Sequence, residues 1–305
     1  MTATVINGGP LAIRPTFPAL LVRCIGEARP TVQLIFLLRF VAGWSFSGAA
    51  IGPRFLTGAL VWELAVLSVY LFNGVMDVVE DRLNHSTRPV AAGRLPRKFA
   101  AGACAAAGVL SFAGAVLLGG WYPLLVVASL ALGYAYTAPP FCLKRYSAGA
   151  GLSVIAGGLL TFVAGATVDG PAPGWGPLWV FALAMSLWMG GVGALVKDFS
   201  DEYGDALAGR RTAVVVRGAA KVRRIVAVNA ALIAAGLFAF AVRMPVLRPA
   251  AVTLVVGACA VGVLSLAPLR RPGRATRYAV TRMPYRAFML TQHLAHVVVI
   301  LTTVS

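Results

Sequence analysis

The chain has 305 residues, 59% of them hydrophobic and only 12% charged, with a mean hydropathy of +0.82. That is too little polar surface to cover a soluble globule of this length. A net charge of +17 would suit a nucleic-acid binder, but the basic residues fall in connectors between apolar runs, and no basic helix with interleaved aromatics occurs. No nucleic-acid partner is expected, and the lipid bilayer is.

In chain order, residues 1–30 form a Pro-broken N-terminal segment containing Pro10, Pro15 and Pro18. It lacks an apolar core followed by a cleavage site, so no removable signal peptide is expected. Residues 31–305 read as one transmembrane domain. Nine apolar stretches are long enough, or nearly so, to cross a hydrocarbon core of about 30 Å, which takes roughly 20 helical residues. The predicted spans are 31–51, 56–79, 99–119, 121–139, 149–168, 176–196, 222–241, 247–267 and 284–304. Long continuous runs, rather than short alternating ones, exclude a β-barrel and make the fold all-α. Cys24, Cys104, Cys142 and Cys259 are scattered without metal-ligand spacing and read as packing residues.

The basic residues orient the spans. With the N-terminus cytoplasmic, Arg14, Arg23, Arg29 and the connectors after spans 2, 4, 6 and 8 place 23 Lys and Arg inside, against Arg54, Arg243 and Arg248 outside. Such a bias is the positive-inside signature. It puts Ser305 outside.

The same topology brings the acids to one side. Seven of the ten acidic residues lie in two clusters that close spans 2 and 6: Asp77, Glu80 and Asp81 in NGVMDVVED, and Asp198, Asp201, Glu202 and Asp205 in KDFSDEYGD. Carboxylates beside hydrocarbon are costly unless a cation or cavity compensates them. Asn73, Asp77 and Asp81 are spaced i, i+4, i+8 and line one face of a continued helix, as do Asp198, Asp201 or Glu202, and Asp205. Carboxylates with an amide oxygen suit Mg²⁺, which completes its shell with water and phosphate oxygens. Basic loops follow each cluster, with Arg88, Arg94, Arg97 and Lys98 after the first and Arg210, Arg211 and Arg217 after the second. Acidic helix ends capped by basic loops describe a site for a polyanion held through metal, and diphosphate is the natural candidate.

These segments resemble a known family. NGVMDVVEDRLNHSTRPVAAGRLP is similar to the first signature of the UbiA family of intramembrane prenyltransferases, N-x-x-x-D-x-x-x-D followed by N-x-x-x-R-P. KDFSDEYGDALAGRRT resembles the second, D-x-x-D-x-x-G-D, and YTAPPFCLKR resembles the family's tyrosine and double-proline segment. The resemblance implies a helical bundle around a central cavity and transfer of an isoprenoid chain from a polyprenyl diphosphate to a hydrophobic, aromatic or lipid acceptor. It also implies two Mg²⁺ ions, one held by Asn73, Asp77 and Asp81 and the other by Asp198, Asp201 or Glu202, and Asp205. Arg88, Lys144, Arg145 and Arg211 would meet the diphosphate, with Tyr136 nearby. For Lys144 and Arg145 the alternative role is setting topology, and for Trp121, Tyr134 and Tyr136 it is membership of the interfacial aromatic belt.

Three further polar positions lie within the spans and match no signature. Arg39 and Glu63 each sit well inside their predicted spans, 31–51 and 56–79. They either form a structural ion pair or serve the acceptor. His293, beside Gln292 and His296, is either a packing hydrogen-bond partner or a base for the acceptor. Besides the transferase, a terpene cyclase on the same scaffold needs the same ionising machinery without an acceptor. A cation-coupled transporter is the third class, but it should show internal repeats and midplane carboxylates, and neither occurs here. The Ala, Gly, Arg and Val bias suggests a high-GC genome and a bacterial plasma membrane, with the site opening to the cytoplasmic side.

Overall fold

A computed structural model describes residues 15–84, 86–171, 173–267 and 281–304. Within these the chain is all-helical, with no strand among the described residues. Seven helices are long and apolar enough to cross a membrane: α3 (Pro53–Met76), α5 (Arg97–Leu118), α7 (Ser147–Ala166), α8 (Pro177–Lys197), α11 (Ala219–Arg243), α12 (Pro245–Leu266) and α13 (Met283–Val304). Two shorter apolar helices, α2 (Pro30–Ser45) and α6 (Tyr122–Thr137), occupy the first and fourth predicted spans. At 16 residues each they measure about 24 Å. The chain leaves α2 at Ser45, six residues before the predicted end, because Gly48 turns it through a positive φ of 68°.

Short helices supply the rest: α1 (Phe17–Glu27), α4 (Val78–Leu83), α9 (Glu202–Leu207) and α10 (Ala213–Arg217). The sequence reading gave residues 1–30 no helix. The structure forms α1 there, with Pro18 in its first turn, where the missing N–H costs no helical hydrogen bond. Phe17, Leu21, Val22 and Ile25 are exposed on α1 while Cys24 and Glu27 are buried, the two-faced pattern of a helix lying along a membrane surface. Residues 1–14, Ser305 and the basic stretch 268–280 lie outside the described residues, so the parts of the topology argument that rest on them do too.

Lipid-facing apolar side chains and small residues at helix contacts organise the bundle. Leu60, Leu117, Leu232 and Leu301 are all more than 60% exposed, as expected where hydrocarbon replaces water. Between α2 and α7 the backbones nearly touch. A Cβ on Gly165 would lie 1.9 Å from the Phe40 carbonyl oxygen, and one on Gly43 would lie 2.4 Å from that of Phe162. Only glycine permits this approach, and dispersion between close-packed backbones drives helix association in lipid. Two large cores result. One joins α8, α11, α12 and α13 around Phe181, Met185, Trp188 and Leu254; the other joins α2, α3 and α7 around Phe40, Trp62 and Ala164. Between them runs a cavity of about 470 Å³.

Helix α8 contains a π turn over Met189–Gly193. A π turn misaligns carbonyls from their usual donors, and Asn229 of α11 answers by donating its Nδ2–H to the Gly191 oxygen at 2.8 Å. Gly193 lets α13 close over the turn, since a Cβ there would fall 2.2 Å from the Phe288 ring.

Candidate active site

At one end of the cavity both acidic clusters come together, the second by a route that helical periodicity did not give. Helix α3 stops at Met76, Asp77 caps it with φ −90° and ψ 11°, and α4 starts at Val78. Likewise α8 ends at Lys197, and a turn carries Asp198 to Asp201 before α9 begins. The second predicted stripe is therefore bent at Asp198, while the first keeps its helical hydrogen bonds through Asp77, whose N–H donates to the Asn73 carbonyl at 2.9 Å and whose carbonyl accepts from Asp81 at 2.8 Å. Both acids face inward, Asp77 and Asp198 each being 6% exposed.

Arg210 joins the clusters. Its guanidinium pairs with Glu80, lies 3.6 Å from Asp77, and reaches Asp205 of α9 at 3.3 Å. Asn84 donates to the same Asp205 oxygen at 3.5 Å. Gly204 makes room for this contact, because a Cβ there would sit 1.8 Å from the Asn84 amide oxygen. Lys144, delivered by the short turn Leu143–Arg145, pairs with Asp77 and lies 3.6 Å from Glu80. Asn73 donates to Asp77 at 3.0 Å and to the Thr137 hydroxyl at 3.3 Å.

Arg88 is held from two sides. Its Nη1 donates to Asp81 at 2.9 Å and to the Asn73 amide oxygen at 3.4 Å. Its Nε lies 2.8 Å from Glu27, whose other oxygen accepts the Val90 N–H at 2.8 Å. Glu27 is fully buried. Gly74 admits the pair, since a Cβ would fall 2.1 Å from the Glu27 carboxylate. Helix α1 thus anchors the arginine that anchors Asp81.

Asp198 is the exception to this pairing. Its carboxylate has no hydrogen bond or ion pair among the described residues, and burial pushes it up to about 7 against the opposing pull of Lys197. Burial also raises Asp205, whose Oδ2 has no partner. A buried carboxylate wants a cation, so the hard-oxygen set of Asn73, Asp77, Asp81, Asp198 and Asp201 fits Mg²⁺. No cluster of three or more acid, His or Cys side chains is drawn into a closed cage among the described residues. An open site matches a metal that takes part of its shell from phosphate and water.

Of the residues singled out in sequence, Asn73, Asp77, Asp81, Arg88, Tyr136, Lys144, Asp198 and Asp201 line the cavity. Asp205 stands behind them through Arg210. Glu202, Arg145 and Arg211 do not reach it: all three side chains are exposed, and Arg211 instead donates its backbone N–H to the Arg145 carbonyl at 2.8 Å, tying two loops. Glu63 and His293 also lie off the cavity. The two nitrogens of His293 face the Met289 and Thr31 carbonyl oxygens at 2.6 and 3.1 Å, so the ring ties α13 to α2. Glu63 and Arg39 form no ion pair. Sequence reasoning passed over Glu27, Asn84 and Lys197, and gave Arg210 only as one of the basic residues of the loop after the second cluster. Arg210 and Arg211 are adjacent, and only the turn after α9 decides which one points inward. Glu27 carried a usable signal, as an acid ending an otherwise apolar helix.

The fold and its polar end can now be set beside known proteins. The model of the UbiA prenyltransferase family matches residues 32–290. The chain belongs to that family. A search of curated proteins finds no match. Among solved structures, a UbiA homologue from Archaeoglobus fulgidus bound to GPP and Mg²⁺ superposes with a TM-score of 0.68 at 18% identity, over 90% of this chain and 99% of the homologue. A digeranylgeranylglyceryl phosphate synthase gives 0.64 at 17% identity, over 93% and 99%. A UbiA homologue from Aeropyrum pernix K1 gives 0.59 at 18%, over 87% and 94%. At such identities the structural likeness speaks to the fold. The UbiA assignment agrees with the three motifs and makes the chain an integral membrane prenyltransferase by family.

Proposed function

We propose that this UbiA-family chain is a Mg²⁺-dependent intramembrane prenyltransferase that ionises an allylic polyprenyl diphosphate and passes the isoprenoid chain to a hydrophobic, aromatic acceptor, releasing pyrophosphate. The observation that carries the reading is the joining of two carboxylate clusters and the cations Arg88, Lys144, Lys197 and Arg210 at one end of a cavity lined elsewhere by Val32, Ile35, Phe36, Val66 and Leu132. Charge at one end and hydrocarbon at the other match an isoprenoid diphosphate. That solved homologues are bound to GPP or DMAPP with Mg²⁺ supports the same substrate class.

In this reading nine helices span the bilayer, the short α2 and α6 included, with the N-terminus and the charged end of the cavity cytoplasmic. Asn73, Asp77 and Asp81 hold one Mg²⁺, and Asp198 and Asp201, backed by Asp205, hold the second. The ions supply Lewis-acid stabilisation of negative charge on the departing pyrophosphate. Lys144, Arg88 and Arg210 orient the carboxylates they pair with, and offer N–H donors to diphosphate oxygens. As the allylic C–O bond breaks, its electron pair stays with the diphosphate. The acceptor attacks the carbocation and loses a proton. The apolar walls exclude water that would otherwise quench the cation, and the faces of Phe36 and Tyr70 attract it.

Purified protein given Mg²⁺ and geranyl, farnesyl or longer diphosphates should release pyrophosphate, and should stop on addition of EDTA until Mg²⁺ is restored. Product analysis with and without aromatic acceptors separates transferase from cyclase. Cyclic hydrocarbon formed without acceptor would replace the transferase reading with the cyclase one.

A further inference from the structure

The outer wall of the bundle carries a second recess. Helices α7 and α11 both pack on the π turn of α8 but part from each other over it, leaving a groove of about 870 Å³. Gly190 and Gly191 form its floor, where no side chain fills the space. Leu152 of α7 and Leu232 of α11 stand on its two walls, 67% and 66% exposed, so it opens sideways toward lipid. Ser147 and Leu195 stand between it and the central cavity, lining both. The groove runs along residues 147–155 of α7, 187–195 of α8 and 225–233 of α11. At 1.5 Å per residue each stretch is about 12 Å long, most of the roughly 15 Å of hydrocarbon in one leaflet.

Its rim, at the same end of the bundle as the acidic clusters, is basic. Arg211 and Arg217 line it, both are exposed, and neither enters an ion pair among the described residues. No acidic side chain among the described residues lines the groove. The rim is also fixed in place: the Arg211 N–H donates to the Arg145 carbonyl at 2.8 Å, and the Ala213 N–H donates to Ser147 Oγ. Below the rim the one polar side chain, Asn229, already donates to the Gly191 oxygen, so nothing there calls for a polar ligand. A pair of free guanidinium groups above an apolar trough one leaflet deep describes an amphiphile with an anionic head.

We propose that this groove holds one anionic phospholipid, its phosphate on Arg211 and Arg217 and an acyl chain lying over the glycines of the π turn. Guanidinium groups meet phosphate oxygens in paired hydrogen bonds, and a zwitterionic lipid would bring a cation of its own against them. A second copy of the chain has little to offer this rim, because Glu202 is the one exposed acid at this end of the bundle among the described residues. Free phosphate leaves the apolar trough unfilled. The adjacent Arg210 and Arg211 then serve opposite sides of one loop, the first facing carboxylates in the cavity and the second a lipid phosphate outside it.

The test is native mass spectrometry of the full chain in detergent, titrated with dioleoylphosphatidylglycerol and, separately, with dioleoylphosphatidylcholine. The readout is the ratio of affinities for the first lipid bound. It should favour the anionic lipid about thirtyfold, from roughly fivefold for each arginine beside an anionic head group. Arg211→Gln and Arg217→Gln should each lower it to about fivefold, and the double variant to about one. Arg145→Gln and Lys221→Gln, at exposed basic positions off the groove, should leave it unchanged. Gly191→Leu should weaken both lipids together, since a Cβ there meets nothing nearer than 3.6 Å and its side chain would fill the trough. Equal affinity for the two lipids, a ratio unchanged in the double variant, or an equal fall in Arg145→Gln or Lys221→Gln would overturn the proposal. So would displacement of the lipid by equimolar inorganic phosphate, or a dimer that forms in place of lipid binding.

Discussion

The two polar regions of this bundle are built on opposite plans. At the charged end of the cavity Arg88, Lys144 and Arg210 each face at least one carboxylate, and Arg210 faces three. In the interior Arg39 faces none. A paired network holds its geometry before ligand arrives, which is what a reaction centre requires. An unpaired buried cation is incomplete without a ligand or water. The difference separates a network that fixes its own geometry from a buried cation that has no hydrogen-bond partner among the described residues.

Breaking the charged end should give the largest effects. Asp77→Ala or Asp198→Ala should lower pyrophosphate release by about three orders of magnitude, on the scale of losing a metal or transition-state contact; near-native turnover of either variant would remove the two-metal assignment. Lys144→Ala should cost about a hundredfold in kcat, since it strips Asp77 of its buried partner and the diphosphate of a donor, with partial recovery in Lys144→Arg.

Stability tests the pairing itself. Glu27→Gln leaves Arg88 with a fully buried neutral partner, and should lower unfolding free energy in detergent by about 3 kcal/mol. Glu27 lies off the cavity lining, so the effect should appear in the melting transition even without substrate. A melting curve indistinguishable from the native protein would show that α1 does not anchor Arg88. The smallest effects are expected from Arg145→Ala, Arg211→Ala and Glu202→Ala. Their exposed side chains should change kcat/KM by no more than about threefold, the scale of weak surface electrostatics. A loss as large as that of Lys144→Ala would place the motif residue, rather than its cavity-lining neighbour, at the diphosphate.

Much of this was legible without coordinates. Nine apolar runs in the sequence correspond to the seven long and two shorter apolar helices, because hydrocarbon length and continuous hydropathy are local properties of the chain. The acids of the first cluster were found for the same reason, since a carboxylate at the end of an apolar run stands out against its neighbours. What escaped was anything decided by a bend or a contact between distant segments. Helical spacing put Asp198, Asp201 and Asp205 on one continuous face, while the turn from Asp198 to Asp201 breaks it. Arg210 and Arg211 are equivalent in sequence and opposite in space. An ion pair between Arg39 and Glu63 was one of two readings from sequence, since both lie inside their spans, yet position along a helix does not fix azimuth, and the side chains do not meet.

The sequence by itself determined the class of molecule, its solvent, its family motifs and the acids that mark its reactive end, because each follows from composition or short-range spacing. Only the tertiary structure decided which cation meets which carboxylate, that Glu27 stands behind Arg88, and that Arg39 is left without a partner. Those outcomes turn on close backbone approach at Gly74, Gly158 and Gly204, where the missing Cβ opens the space for a side chain from another part of the chain.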